Sequence, residues 1–111
     1  MGEEMNSVSY NNTTNTFTFY NLRVNFMKSE YEFIKKYIRS MIHFETTPTF
    51  DMTELVTINS SGLTLVSRMI IEFELQKQPG IRFIIKKNME WQEKMLRNIF
   101  KIWNNIEVVE V

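Results

Sequence analysis

Between Asp51 and Thr64 the chain gathers two carboxylates, a carboxamide, two serines, a glycine and three threonines within fourteen residues. The stretch Asp51-Met52-Thr53-Glu54-Leu55-Val56-Thr57-Ile58-Asn59-Ser60-Ser61-Gly62-Leu63 reads as the end of a buried strand, a loop and the start of a helix. A serine at that point is displayed at a helix N-terminus, where unpaired N–H groups and the helix dipole favour an anion. The chemistry offered is that of carrying or presenting a negative group, which makes the segment a candidate switch. Asn59 or Ser60 can cap the helix through a side-chain oxygen, and Gly62 permits close approach over the first turn. The same residues also suit a capped helix start with no further role.

Other chemistry is sparse. His43 is the single histidine, so a serine–histidine–aspartate arrangement would rest on it alone. Near a helix end, complementing the helix dipole is the plainer role for it. There is no cysteine, hence no thiolate nucleophile, no zinc–thiolate site and no need of an oxidising compartment. The glycines, Gly2, Gly62 and Gly80, form neither a P-loop nor a dinucleotide fingerprint. Glu72 and Glu74 do not share a helical face and read as solvated surface. Phe17, Phe19 and Tyr20 have the form of base-stacking residues, but no basic patch interleaves with them, and packing accounts for them better. The 13 basic and 13 acidic residues cancel, so nothing draws the chain generally to nucleic acid or to an anionic membrane. No metal and no cofactor are expected. An acidic, polar N-terminus and the lack of a long apolar run predict a soluble cytoplasmic protein.

The elements that must position the serine follow from periodicity. Val8 and Tyr10, then Phe17 and Phe19, flank the turn-forming Asn11–Asn15 and predict a β-hairpin. Leu22, Val24 and Phe26 continue the two-residue alternation, as an extension or a short extra strand. Ser29-Glu30-Tyr31-Glu32 has the form of a capping box, and Ile34, Tyr37, Ile38, Met41 and Ile42 follow at helical spacing. Thr49 to Met52 reads as a short strand ending near Asp51. From Ser60 to Gln78 the stripe Leu63, Val66, Ile70 and Phe73, widened by Leu65 and Met69, predicts a helix stopped by Pro79-Gly80. Ile81–Ile85 reads as a buried strand. Asn88 is placed to cap a helix whose apolar face is Trp91, Met95, Leu96, Ile99 and Phe100, and Ile106–Val109 as a last strand. One domain spanning residues 1–111 is expected, an α/β fold of order β-β-α-β-α-β-α-β. Its sheet is mixed and mostly parallel, with functional loops at the C-terminal ends of the parallel strands.

An aspartate ending a strand and, eight residues later, Asn59-Ser60-Ser61-Gly62-Leu63 opening an apolar helix resembles the STAS domain. That fold is shared by anti-sigma-factor antagonists and the cytoplasmic part of sulfate transporters. The family pattern is a strand-end aspartate and, eight residues later, Asp-Ser-x-Gly-Leu. Asp51 matches the first aspartate, and Ser60, Ser61, Gly62 and Leu63 match the motif. The resemblance implies a bacterial, non-enzymatic regulator of transcription in which Ser60 is the phosphoacceptor. It further implies a partner-binding face around Asp51, Thr57, Asn59, Ser61, Gly62, Leu63 and Thr64. The implied partners are a histidine-kinase-like anti-sigma factor or switch kinase and an opposing serine phosphatase, the partner supplying the ATP; self-association is left open. Two departures stand beside it. The motif aspartate is Asn59, which keeps the capping oxygen and loses the charge. The chain also ends directly after the last expected strand, where family members continue into another helix, so one sheet face is expected to be less covered. A constitutive scaffold of the same fold, or a sensor of a small ligand or nucleotide, are the alternatives.

Overall fold

A computed structural model describes residues 7–22 and 29–111 of the chain. Its elements are β1 (Val8–Asn11), β2 (Thr16–Phe19), α1 (Ser29–Met41), β3 (Thr49–Asp51), α2 (Ser60–Leu75), β4 (Ile81–Ile85), α3 (Glu90–Ile102) and β5 (Ile106–Glu110). The expected order is therefore the observed one. The five strands form one sheet in the spatial order β1-β2-β3-β4-β5; β1 pairs antiparallel with β2, and the remaining pairs are parallel. Spatial order equals chain order, so each crossover steps one strand in the same direction. Right-handed crossovers then put all three helices on one face of the sheet. Burial agrees: Val8, Phe17, Phe19, Phe50, Ile81, Phe83 and Ile85 are closed off from solvent, while Ser9, Thr18, Asp51, Arg82 and Ile84, alternating with them, are half-buried or exposed.

Register builds the centre of the core. Phe17, Phe50, Phe83 and Val108 are partners across four strands, with Tyr10 opposite Phe17. Parallel pairing holds side chains of one row on one face, and the rings meet in turn. Phe17–Phe50 and Phe50–Phe83 centroids are 5.7 and 5.5 Å apart and close to perpendicular, the edge-to-face arrangement that aromatic quadrupoles favour. Tyr10 donates its hydroxyl proton to Oδ1 of buried Asn15 at 2.7 Å, and burial holds its phenol above the usual range. Asn15 adopts left-handed φ (53°) and donates from Nδ2 to the carbonyls of His43 and Thr46 at 3.0 and 3.3 Å. A residue legible in sequence only as part of a turn thus ties the hairpin to the α1–β3 connection.

Helix boundaries depart from expectation in informative ways. α2 ends at Leu75, well before Pro79. Lys77 takes a left-handed φ of 57°, and the Gln78 and Lys77 N–H groups return to the carbonyls of Phe73 and Glu74. This is a Schellman closure built on lysine instead of glycine. Asn88 does not cap α3; it too is left-handed, at 63°, and Met89 takes the capping position without a side-chain bond. Asparagine tolerates that conformation, and the tight β4–α3 turn uses it for the backbone. Met41 and Phe100, expected in apolar stripes, are exposed at the outer edges of their helices. Leu22 makes a lone parallel bridge to Ile58; the suggested continuation through Val24 and Phe26 lies outside the described residues, as does the Ser29 side chain of the capping box. Among the described residues no helix is long and apolar enough to cross a membrane.

Candidate functional site

The loop from Met52 to Asn59 leaves the C-terminal end of β3, as the parallel topology requires. Asp51 begins it by turning its carboxylate back on the chain: Oδ1 accepts from the Thr53 N–H at 2.9 Å and from the Thr53 hydroxyl at 2.7 Å. This local turn stabilises the strand exit. Met52 and Leu55 are fully buried and anchor the loop, and the Met52 N–H bonds the Ile84 carbonyl. Val56 and Thr57 are exposed, and Ile58 returns inward to bridge Leu22.

At the helix start the geometry is as the sequence implies. Asn59 is the N-cap of α2, with extended φ and ψ of −99° and 176°, and its Oδ1 accepts from the Gly62 N–H at 2.9 Å. Ser60 opens the helix and is exposed; its carbonyl accepts from the Thr64 hydroxyl at 2.9 Å. The first turn holds no acidic side chain, so the positive end of the dipole meets no carboxylate from the helix itself. Gly62 is buried where the turn crosses Leu22: a Cβ built there would lie 1.9 Å from the Leu22 carbonyl oxygen. Glycine is thus required by close approach and not by backbone conformation. Asn59, Ser60, Ser61, Gly62, Leu63 and Thr64 are brought together on one turn and its continuation. Thr57 stands on the loop before it, and Asp51 is engaged by Thr53.

Beside this turn, α2 and α3 enclose an open, largely apolar hollow of about 280 Å³ lined by Ile58, Leu63, Trp91, Lys94, Met95 and Asn98. Leu63, expected in the core, is half-buried because it forms one wall of this hollow. Lys94 at the rim pairs with Glu90 at 3.3 Å. Two residues of α3 that matter here escape sequence reasoning. Gln92 is fully buried and donates from Nε2 to the carbonyls of Met52 and Leu55, while its Oε1 accepts the Lys86 N–H. Trp91, read only as part of an apolar face, donates Nε1–H to the Val56 carbonyl at 2.8 Å. A signal existed for the first: Gln92 lies at i, i+4 and i+7 with Leu96 and Ile99, on the stripe that faces the sheet.

His43 lies just past α1 and is half-buried, its Nδ1 without a hydrogen-bond partner among the described residues. No cluster of three or more metal-ligating side chains occurs among the described residues. Comparison of the chain with protein-family models, curated proteins and solved structures finds no match in any of the three.

Proposed function

We propose that the chain is a STAS-like regulator that works by reversible protein–protein binding in the cytoplasm, with Ser60 as its phosphoacceptor. One observation carries this reading: Ser60 is exposed on the first turn of a helix whose cap is supplied by Asn59 and whose dipole no acid of that turn offsets. A phosphate there adds about −1.5 to −2 charges, which the helix N-terminus accommodates and a partner packed over the turn does not. The partner face comprises Thr57, Ser61, Leu63 and Thr64 around the serine, and the partner class is a histidine-kinase-like anti-sigma factor or switch kinase opposed by a serine phosphatase. The chain itself supplies no catalysis and needs no cofactor.

Incubation with a cognate switch kinase and ATP tests the reading by mass spectrometry. Phosphate is expected on Ser60, with none on Ser60→Ala, and Ser60→Asp should bind the partner at least tenfold more weakly than Ser60→Ala. Equal binding by the two variants sinks the proposal. Strong partner binding without any phosphate on Ser60 favours a constitutive scaffold instead. The observation behind that second reading is that Asn59 already caps α2 as a neutral residue.

A further inference from the structure

The first turn of α3 has no side-chain cap, and its own side chains reach across to the loop that leads to Ser60. Gln92 and Trp91 do this in different ways. Gln92 is sealed in the core and satisfies Met52 and Leu55 next to the strand, so it belongs to the framework. Trp91 is half-buried and holds the Val56 carbonyl at the solvent edge, four residues before Ser60. Its ring also forms part of the apolar hollow, whose other walls include Ile58 and Leu63, and these two residues bracket the Asn59–Ser60 cap. One indole therefore contacts the segment by a hydrogen bond on one side of the cap and lines a cavity with residues from both sides.

We infer that Trp91 is a positioning residue for the Ser60 segment, coupling the state of the serine to the shape of the hollow between α2 and α3. A charge or partner that displaces the α2 start moves Ile58 and Leu63 relative to the indole, and the bond to Val56 loosens or tightens with them. In the other direction, a group seated in the hollow fixes the loop that presents the hydroxyl. The biological use of the coupling rests on the reading of Ser60 as a switch; the mechanical link does not.

The full chain labelled with 5-fluorotryptophan gives one resonance for each of its two tryptophans, Trp91 and Trp103, and Trp91→Phe assigns them. Ser60→Asp should shift the Trp91 resonance and leave that of Trp103 in place, because Trp103 is buried against Phe73 at the other end of α3. Trp91→Phe keeps a ring and removes the donor. Amide exchange at residues 56–60 should then rise about fivefold, the change in local opening that loss of one such bond produces, with the centre of α2 unchanged. Gln92→Leu is the control for a framework role and should lower the melting temperature of the whole chain. A Trp91 resonance indifferent to Ser60→Asp, or unchanged exchange at residues 56–60 in Trp91→Phe, overturns the inference. Neither measurement uses a kinase or a partner, so failure of the switch reading leaves both interpretable.

Discussion

Gly62 shows how one contact reverses the ordinary preference of a residue. Replacing a helical glycine by alanine usually stabilises by up to about 1 kcal/mol. Here the added methyl would sit 1.9 Å from the Leu22 carbonyl oxygen, a backbone atom that the Leu22–Ile58 bridge holds in place. The overpacking cost, at about 1–3 kcal/mol or more, outweighs the propensity gain. Gly62→Ala is therefore expected to destabilise by about 2 kcal/mol, read as a lower urea midpoint with an unchanged slope. The cap beside it was legible from sequence, since a side-chain oxygen of Asn59 or Ser60 can reach the N–H groups of the first turn. The reason for the glycine was not, because the atom it avoids is forty residues earlier in the chain.

At the scale of elements, the two ends of α2 are closed by different means. Its start is capped by a side chain of the expected type. Its end is closed by Lys77 in a left-handed conformation that a residue with a Cβ adopts at a cost of about 1–2 kcal/mol. Lys77→Gly removes that cost and adds entropy to the unfolded chain, so the net expectation is a gain of about 0.5–1 kcal/mol. A thermal midpoint raised by a few degrees checks it; a lower midpoint contradicts the closure described. The Arg39–Glu72 pair, bidentate between α1 and α2, holds the guanidinium proton more firmly through that hydrogen bond. Both groups are substantially solvated, so the pair orients the helices more than it stabilises them.

For the molecule as a whole, stability concentrates where the strands share one aromatic row. Phe50 lies at the middle of the sheet, fully buried, with ring contacts to Phe17, Phe19 and Phe83. Phe50→Ala is expected to cost about 3–5 kcal/mol, a large share of the roughly 5–15 kcal/mol of a domain of this size. At an unchanged slope, the urea midpoint of that variant should fall by at least about a fifth of the parent's, and unfolding starts near zero denaturant if the parent's stability lies at the low end of that range. A loss under about 1 kcal/mol would mean that the row is not the centre of the core. The one-directional strand order has a further consequence. With all helices on one face, the loop after β3 has a single layer above it, and α3 is the element that reaches it.

Local pattern by itself determined the number, type and order of elements and the position of the Asn59–Ser60 cap. Period-two and helical spacing, turn residues and side-chain capping are written within a few residues of where they act. The tertiary structure alone decided what depends on distant partners. Asp51 closes a turn on Thr53, as nearby residues allow, but Gly62 meets Leu22, Asn15 binds the His43 and Thr46 carbonyls, and Gln92 and Trp91 fasten residues 52–56. In each of the distant cases a backbone carbonyl is the partner. Every residue carries one, so no residue type in the sequence marks which carbonyl a distant side chain will meet; only the packed sheet and helices select it.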